Sequence, residues 1–178
     1  MTRLRSLALV PLLAVALVGA LLAGRALAAT AATSATAGAP ACGDADIAVT
    51  AGNPQGAAGH GSVVLRFQNI GGARCTLRGY PGLDAIGRHG HVLAHAKRTL
   101  HGYMGGAAKV RTVLVRRDHD ASAVVEWLNA AKNGHACRFS LSVDATPPNT
   151  GYTEHLARQV SLCGLQVHPV VAGRSGQG

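Results

Sequence analysis

An all-β sandwich is the fold this sequence predicts, on three observations. Apolar residues alternate with polar ones at period 2 in several short runs. Turn residues separate those runs at short spacing, as in sandwiches. No segment carries a long, capped helical period. Four cysteines behind an export-type leader add the expectation of disulfides.

The leader comes first. Arg3 and Arg5 form a positive start, Leu7 to Ala23 is apolar apart from Pro11 and Gly19, and Ala26-Leu27-Ala28 fits the small-x-small cleavage rule. Residues 1–28 are therefore expected to be a signal peptide that engages the membrane during export, with cleavage before Ala29. Retention as an anchor is the alternative, because the apolar run approaches spanning length. Cys42 follows Ala39-Pro40-Ala41, which lacks a lipobox, so no lipoprotein is expected. Residues 29–41 are Ala/Thr-rich with no large apolar side chain, which predicts a disordered linker. Residues 172–178 are expected to be a disordered tail on the same grounds.

Residues 42–171 remain as one domain of ordinary size. Ile47 and Val49 alternate with Asp46 and Ala48 in a first strand. Val63, Leu65 and Phe67 share one face of a second. Val110 to Val115 and Ala123 to Leu128 are β-branched-rich, with Val125 and Trp127 on one face and Glu126 opposite. Phe139, Leu141 and Val143 predict another half-buried strand. Tyr152 to Arg158 could form one helical turn. The parity switch between Val160/Leu162 and Leu165/Val167 predicts a bulge at Cys163-Gly164.

Cys42, Cys75, Cys137 and Cys163 allow three connectivities and show no CxxC spacing. The pairs nearest in sequence, Cys42–Cys75 and Cys137–Cys163, are the expected bridges, each joining neighbouring strands. A structural role is expected for all four, in an oxidising compartment.

One block is more specific than the rest. Cys42, the turn Asn69-Ile70-Gly71, the run Cys75-Thr76-Leu77-Arg78-Gly79-Tyr80-Pro81-Gly82, the tryptophan strand ending at Trp127, and Cys137 and Cys163 occur in that order. Val167-His168-Pro169-Val170 closes the series. In these features the chain resembles exported actinobacterial proteins that carry the domain of unknown function 4232. The resemblance implies an immunoglobulin-like β-sandwich outside the cytoplasm and implies no activity. Asp118-His119-Asp120 departs from the Pro-Gly turn expected before the tryptophan strand.

Charge and histidine supply the candidate chemistry. The formal charge of +9 falls to +6 once residues 1–28, with their three arginines, are removed. Arg74, Arg78, Arg88, Lys97, Arg98, Lys109, Arg111, Arg116 and Arg117 make the middle of the chain basic. Such a surface suits an anionic envelope lipid or polymer, with Arg111, Arg116 and Arg117 as the candidate anion-binding residues. Aromatics are only 3% of residues, so base-stacking platforms are few and no nucleic acid partner is expected. In an extended backbone His89, His91 and His95 would share a face, and with His101 they could bind copper or zinc. Trp127 lies on the apolar parity of its strand, which points to the core rather than to sugar stacking. The common nucleophile, zinc-protease and phosphate motifs are absent from the sequence. The expected role is thus a non-enzymatic binding module, exported to the cell envelope or secreted, without a catalytic residue or cofactor. A copper- or zinc-binding protein using His89–His101 is the alternative, and an exported hydrolase stands third.

Overall fold

A computed structural model of the chain describes residues 38–131 and 133–178. The expected signal peptide, and the linker as far as residue 37, lie outside the described residues.

The strands in chain order are β1 (Ile47–Ala51), β2 (Gln55–Ala57), β3 (His60–Asn69), β4 (Cys75–Arg78), β5 (Gly82–Ile86), β6 (Val92–His95) and β7 (Lys97–Arg98). They continue with β8 (Thr112–Val115), β9 (Ala121–Leu128), β10 (Ser142–Thr146), β11 (Glu154–Leu156), β12 (Gln166–Val167) and β13 (Val171–Ala172). Among the described residues the only helical piece is the short 3-10 turn Arg88–Gly90. The largest sheet runs β1-β3-β9-β12-β7, with β2 added to β3 and β13 to β9. A four-stranded sheet runs β11-β10-β5-β6, and β4 pairs with β8 in a two-stranded sheet.

The inward faces of the sheets share one core. Val63, Leu65, Phe67, Val125 and Trp127 come from the large sheet, Leu83, Ala85 and Val143 from the four-stranded sheet, and Leu77, Val113 and Val115 from the two-stranded sheet. This is the sandwich-like all-β arrangement that the alternation predicts. Both expected disulfides are formed. Cys42–Cys75 closes a 33-residue separation beside β4, and Cys137–Cys163 closes one of 26.

Four local expectations are corrected. Phe139 and Leu141 are exposed while Ser140 and Ser142 are buried. Ser140 faces inward because its Oγ accepts the N–H of Val160 (3.0 Å), a hydrogen bond that outranks the apolar parity. Residues 154–156 form strand β11 on β10 and not a helical turn, since Val143↔Leu156 pairing satisfies their backbone. Cys163-Gly164 is a turn, with Gly164 at φ +60, and not a bulge within a strand. Residues 172–178 are laid against β9: Ala172 pairs with Ala121, and Gly173 N–H donates to Asp120 O (2.8 Å). Gly176 N–H donates to Ser122 Oγ (2.9 Å). That tail is held by hydrogen bonds to small residues, which hydropathy does not register. At the other end, Thr76 N–H donates to Pro40 O (2.7 Å), so pairing with β4 begins before Cys42.

Candidate functional site

The basic segment folds along one side of a groove. Period-2 alternation along β8 turns Val113 and Val115 into the core and leaves Thr112 and Leu114 outside. Among the described residues β8 pairs only with β4, and β13 only with β9. A cavity of about 700 Å³ lies between them. Its apolar walls are Ala107, Val113 and Leu114 on one flank and Val170, Val171 and Ala172 on the other. Lys109, Arg111, Arg116 and His119 also line it, and Gln177 and Gly178 form part of the β13 side. Among the described residues no carboxylate side chain lines this groove. Among the described residues Lys109, Arg111 and Arg116 make no salt bridge. Three unpaired cations around an apolar floor produce a positive potential over a low-dielectric wall, which attracts anions.

The approach to β8 is fixed by a buried polar cluster that sequence patterning missed. Glu126 faces away from Trp127, yet it is 1% exposed. Its Oε2 accepts the N–H groups of Tyr103 (2.9 Å) and Met104 (2.7 Å). Its Oε1 accepts from Gln166 Nε2 and lies 3.5 Å from Nε2 of His168, which is equally buried. Burying the Glu126 carboxylate is tolerable because Gln166 and the loop backbone satisfy it, and His168 Nδ1 lies 3.3 Å from Ala107 O, while His168 Nε2 has no hydrogen-bond partner among the described residues. Close approach of the loop requires Gly102 and Gly106. A Cβ on Gly102 would strike Glu126 and His168, and one on Gly106, at φ +105, would strike the His168 ring. Tyr103 also stacks on His60, with ring centroids 4.3 Å apart. The segment that leads to Lys109 and Arg111 is thereby anchored to β9.

The predicted anion residues divide between two cavities. Arg111 and Arg116 line the groove, at opposite ends of β8. Arg117 instead lines an adjoining cavity of about 310 Å³ with Asp118, Asp120 and Arg174. There Arg174 Nε stands 3.0 Å from Asp120 Oδ2, so acids and bases are mixed. Arg116 and His119 close the turn between β8 and β9, where His119 N–H donates to Arg116 O (2.9 Å). That turn, expected from the Arg-Arg-Asp-His-Asp run, is what aims Arg116 and Arg117 at different cavities.

The histidine set does not converge. His89 sits in the 3-10 turn at φ 57, ψ 24, and His91 follows it as the cap, so the extended backbone that would align His89, His91 and His95 is absent. His95 lies on β6, with Nδ1 2.6 Å from Asp84 Oδ1. His101 belongs to the separate segment after β7, its N–H donating to Thr99 Oγ1 (3.0 Å). Among the described residues no three His, Cys, Asp or Glu side chains gather to hold a metal ion. A different row appears on the outer face of the four-stranded sheet. Asp84 pairs with His95 and with Asp144, and Asp144 pairs with His155. His155 Nδ1 lies 2.7 Å from Asp144 Oδ1, which matches the His95–Asp84 contact.

A family model described as "Domain of unknown function (DUF4232)" matches residues 42–173. No curated protein and no solved structure matches the chain.

Proposed function

The chain belongs to the DUF4232 family, and from that premise we propose that it is a non-enzymatic binding module that holds an anionic partner of the cell envelope in the β8–β13 groove. One observation carries the reading: Lys109, Arg111, Arg116 and His119 line an apolar-walled groove that, among the described residues, no carboxylate side chain enters. Two disulfides support folding in an oxidising, extracytoplasmic compartment, where envelope lipids and polymers are the abundant anions. Recognition then works by field and fit. The unpaired cations draw the partner in, and the apolar walls lower the local dielectric and strengthen each contact.

The test is retention on vesicles of anionic lipid against zwitterionic lipid, at low and high salt. Retention should be specific to the anionic vesicles and should fall as salt screens the cations. Arg111→Ala with Arg116→Ala should weaken it at low salt by about 10- to 30-fold, at about 1 kcal/mol per basic residue. Equal retention on both vesicle types, or no effect of the double substitution, would overturn the proposal.

A further inference from the structure

We propose that the groove holds one single-chain anionic lipid, with its acyl tail along the apolar walls and its head group on the cations. This rests on the preceding reading that the groove binds an anionic partner, and it names that partner's class.

The lining has two parts, and so must the ligand. Val113 and Leu114 line the cavity together with Val170, Val171 and Ala172, so much of its wall offers little to a uniformly charged polymer. The cations stand at the two ends of β8, with Lys109 and Arg111 before it and Arg116, beside His119, after it. A tail lying along β8 therefore brings its head group out beside Lys109 and Arg111 or beside Arg116. Leu114, which lines the groove, is a partly exposed apolar side chain that a tail would cover. The volume of about 700 Å³ lies within the roughly 300–1,000 Å³ of small-molecule sites, whose linings are mostly apolar with a few polar groups that fix orientation. A simple inorganic anion would leave the apolar walls facing water, and a neutral lipid would leave the cations without a partner.

The experiment is calorimetric titration of the disulfide-intact protein with octanoate, decanoate, dodecanoate and tetradecanoate, and with dodecanol as the neutral control. The expected result is one site per chain, with affinity rising up to about fourfold per buried methylene. Dodecanol should bind at least about tenfold more weakly than dodecanoate, a loss of one charge-assisted contact. Arg111→Ala with Arg116→Ala should erase the acid-over-alcohol preference and keep the chain-length slope. Leu114→Asp, at an exposed position that folding tolerates, should flatten the slope. Affinity independent of chain length would overturn the inference, and if salt-sensitive vesicle retention persisted, the broader anionic reading would survive it. Loss of both signals would overturn both. An acidic ten-residue peptide that binds more tightly than tetradecanoate would assign the groove to a protein partner and overturn the lipid.

Discussion

Glu126→Ala is the substitution that most directly tests how the groove is built. It removes the acceptor for two backbone donors, Tyr103 N–H and Met104 N–H, at 2.9 and 2.7 Å. It also strips the partner from Gln166 Nε2 and leaves buried His168 facing a void. A stranded donor costs about 1–3 kcal/mol. Tyr103 is exposed at the loop surface, so water can reach its backbone and each donor is taken near the low end. Two donors plus the vacated side-chain volume then give a loss of about 3 kcal/mol. At about 2.1 cal/mol/K of unfolding entropy per residue, a domain of this size should lose about 10 °C in Tm. The assay is urea and thermal unfolding with both disulfides intact, paired with hydrogen exchange at the Tyr103 and Met104 amides. Those amides should exchange faster in the variant than in its parent, and groove binding should fall because the same segment carries Lys109 and Arg111. Glu126→Gln retains an acceptor oxygen and should cost less. Stability within about 0.5 kcal/mol of the parent, with unchanged exchange at both amides, would show that Glu126 does not anchor the loop.

Three further outcomes are expected. Replacing Cys137 and Cys163 together by serine opens a 26-residue loop and should cost about 3.5 kcal/mol on the chain-entropy estimate; a urea-unfolding loss below about 1 kcal/mol would count against that estimate. Gly106→Ala places a Cβ against the His168 ring at φ +105 and should destabilise by about 2 kcal/mol or more, whereas Gly90→Ala, at φ +76 in open space, should cost only about 1 kcal/mol; equal losses by thermal melting would refute the packing argument. The Tyr152 phenol donates to Glu154, and that hydrogen bond, followed by slight desolvation and the Glu154 charge, holds its pKa above the usual value of 10.0. Because the folded value is raised, this contact stabilises fully below about pH 10 and is lost as pH climbs through the folded value. Ultraviolet titration should show a late Tyr152 phenol that Glu154→Gln brings earlier, and identical curves would contradict the contact.

Much of the fold is readable along the chain because a half-buried strand writes its face at period 2. Val63, Leu65 and Phe67 of β3 and Val125 and Trp127 of β9 are buried as their parity requires. Disulfide pairing followed from sequence proximity, since each bridge joins neighbouring segments. Where patterning failed, a specific hydrogen bond had replaced hydropathy as the organising force. Ser140, Ser142 and the 172–178 segment are small or polar, and their positions depend on partners distant in sequence. The candidate site was half legible. Arg111 and Arg116 stood out as charge, but their shared groove exists only because β13, more than 50 residues later, lies opposite β8. Glu126 and His168 gave no local signal beyond a lone acid in a β-branched run and the glycines of 102–106 that make room for them. Aligning His89, His91 and His95 required an extended backbone through Arg88–Gly90, where the chain forms a 3-10 turn instead.

The most direct test of the binding account is amide chemical-shift mapping of the ¹⁵N-labelled protein titrated with small anionic bicelles, with zwitterionic bicelles as the control. The account predicts shifts concentrated at residues 107–119 and 170–178, on anionic bicelles alone, and strongly reduced in the Arg111→Ala/Arg116→Ala variant. Shifts centred on the His95–Asp84–Asp144–His155 face, or spread equally with both lipids, would contradict it.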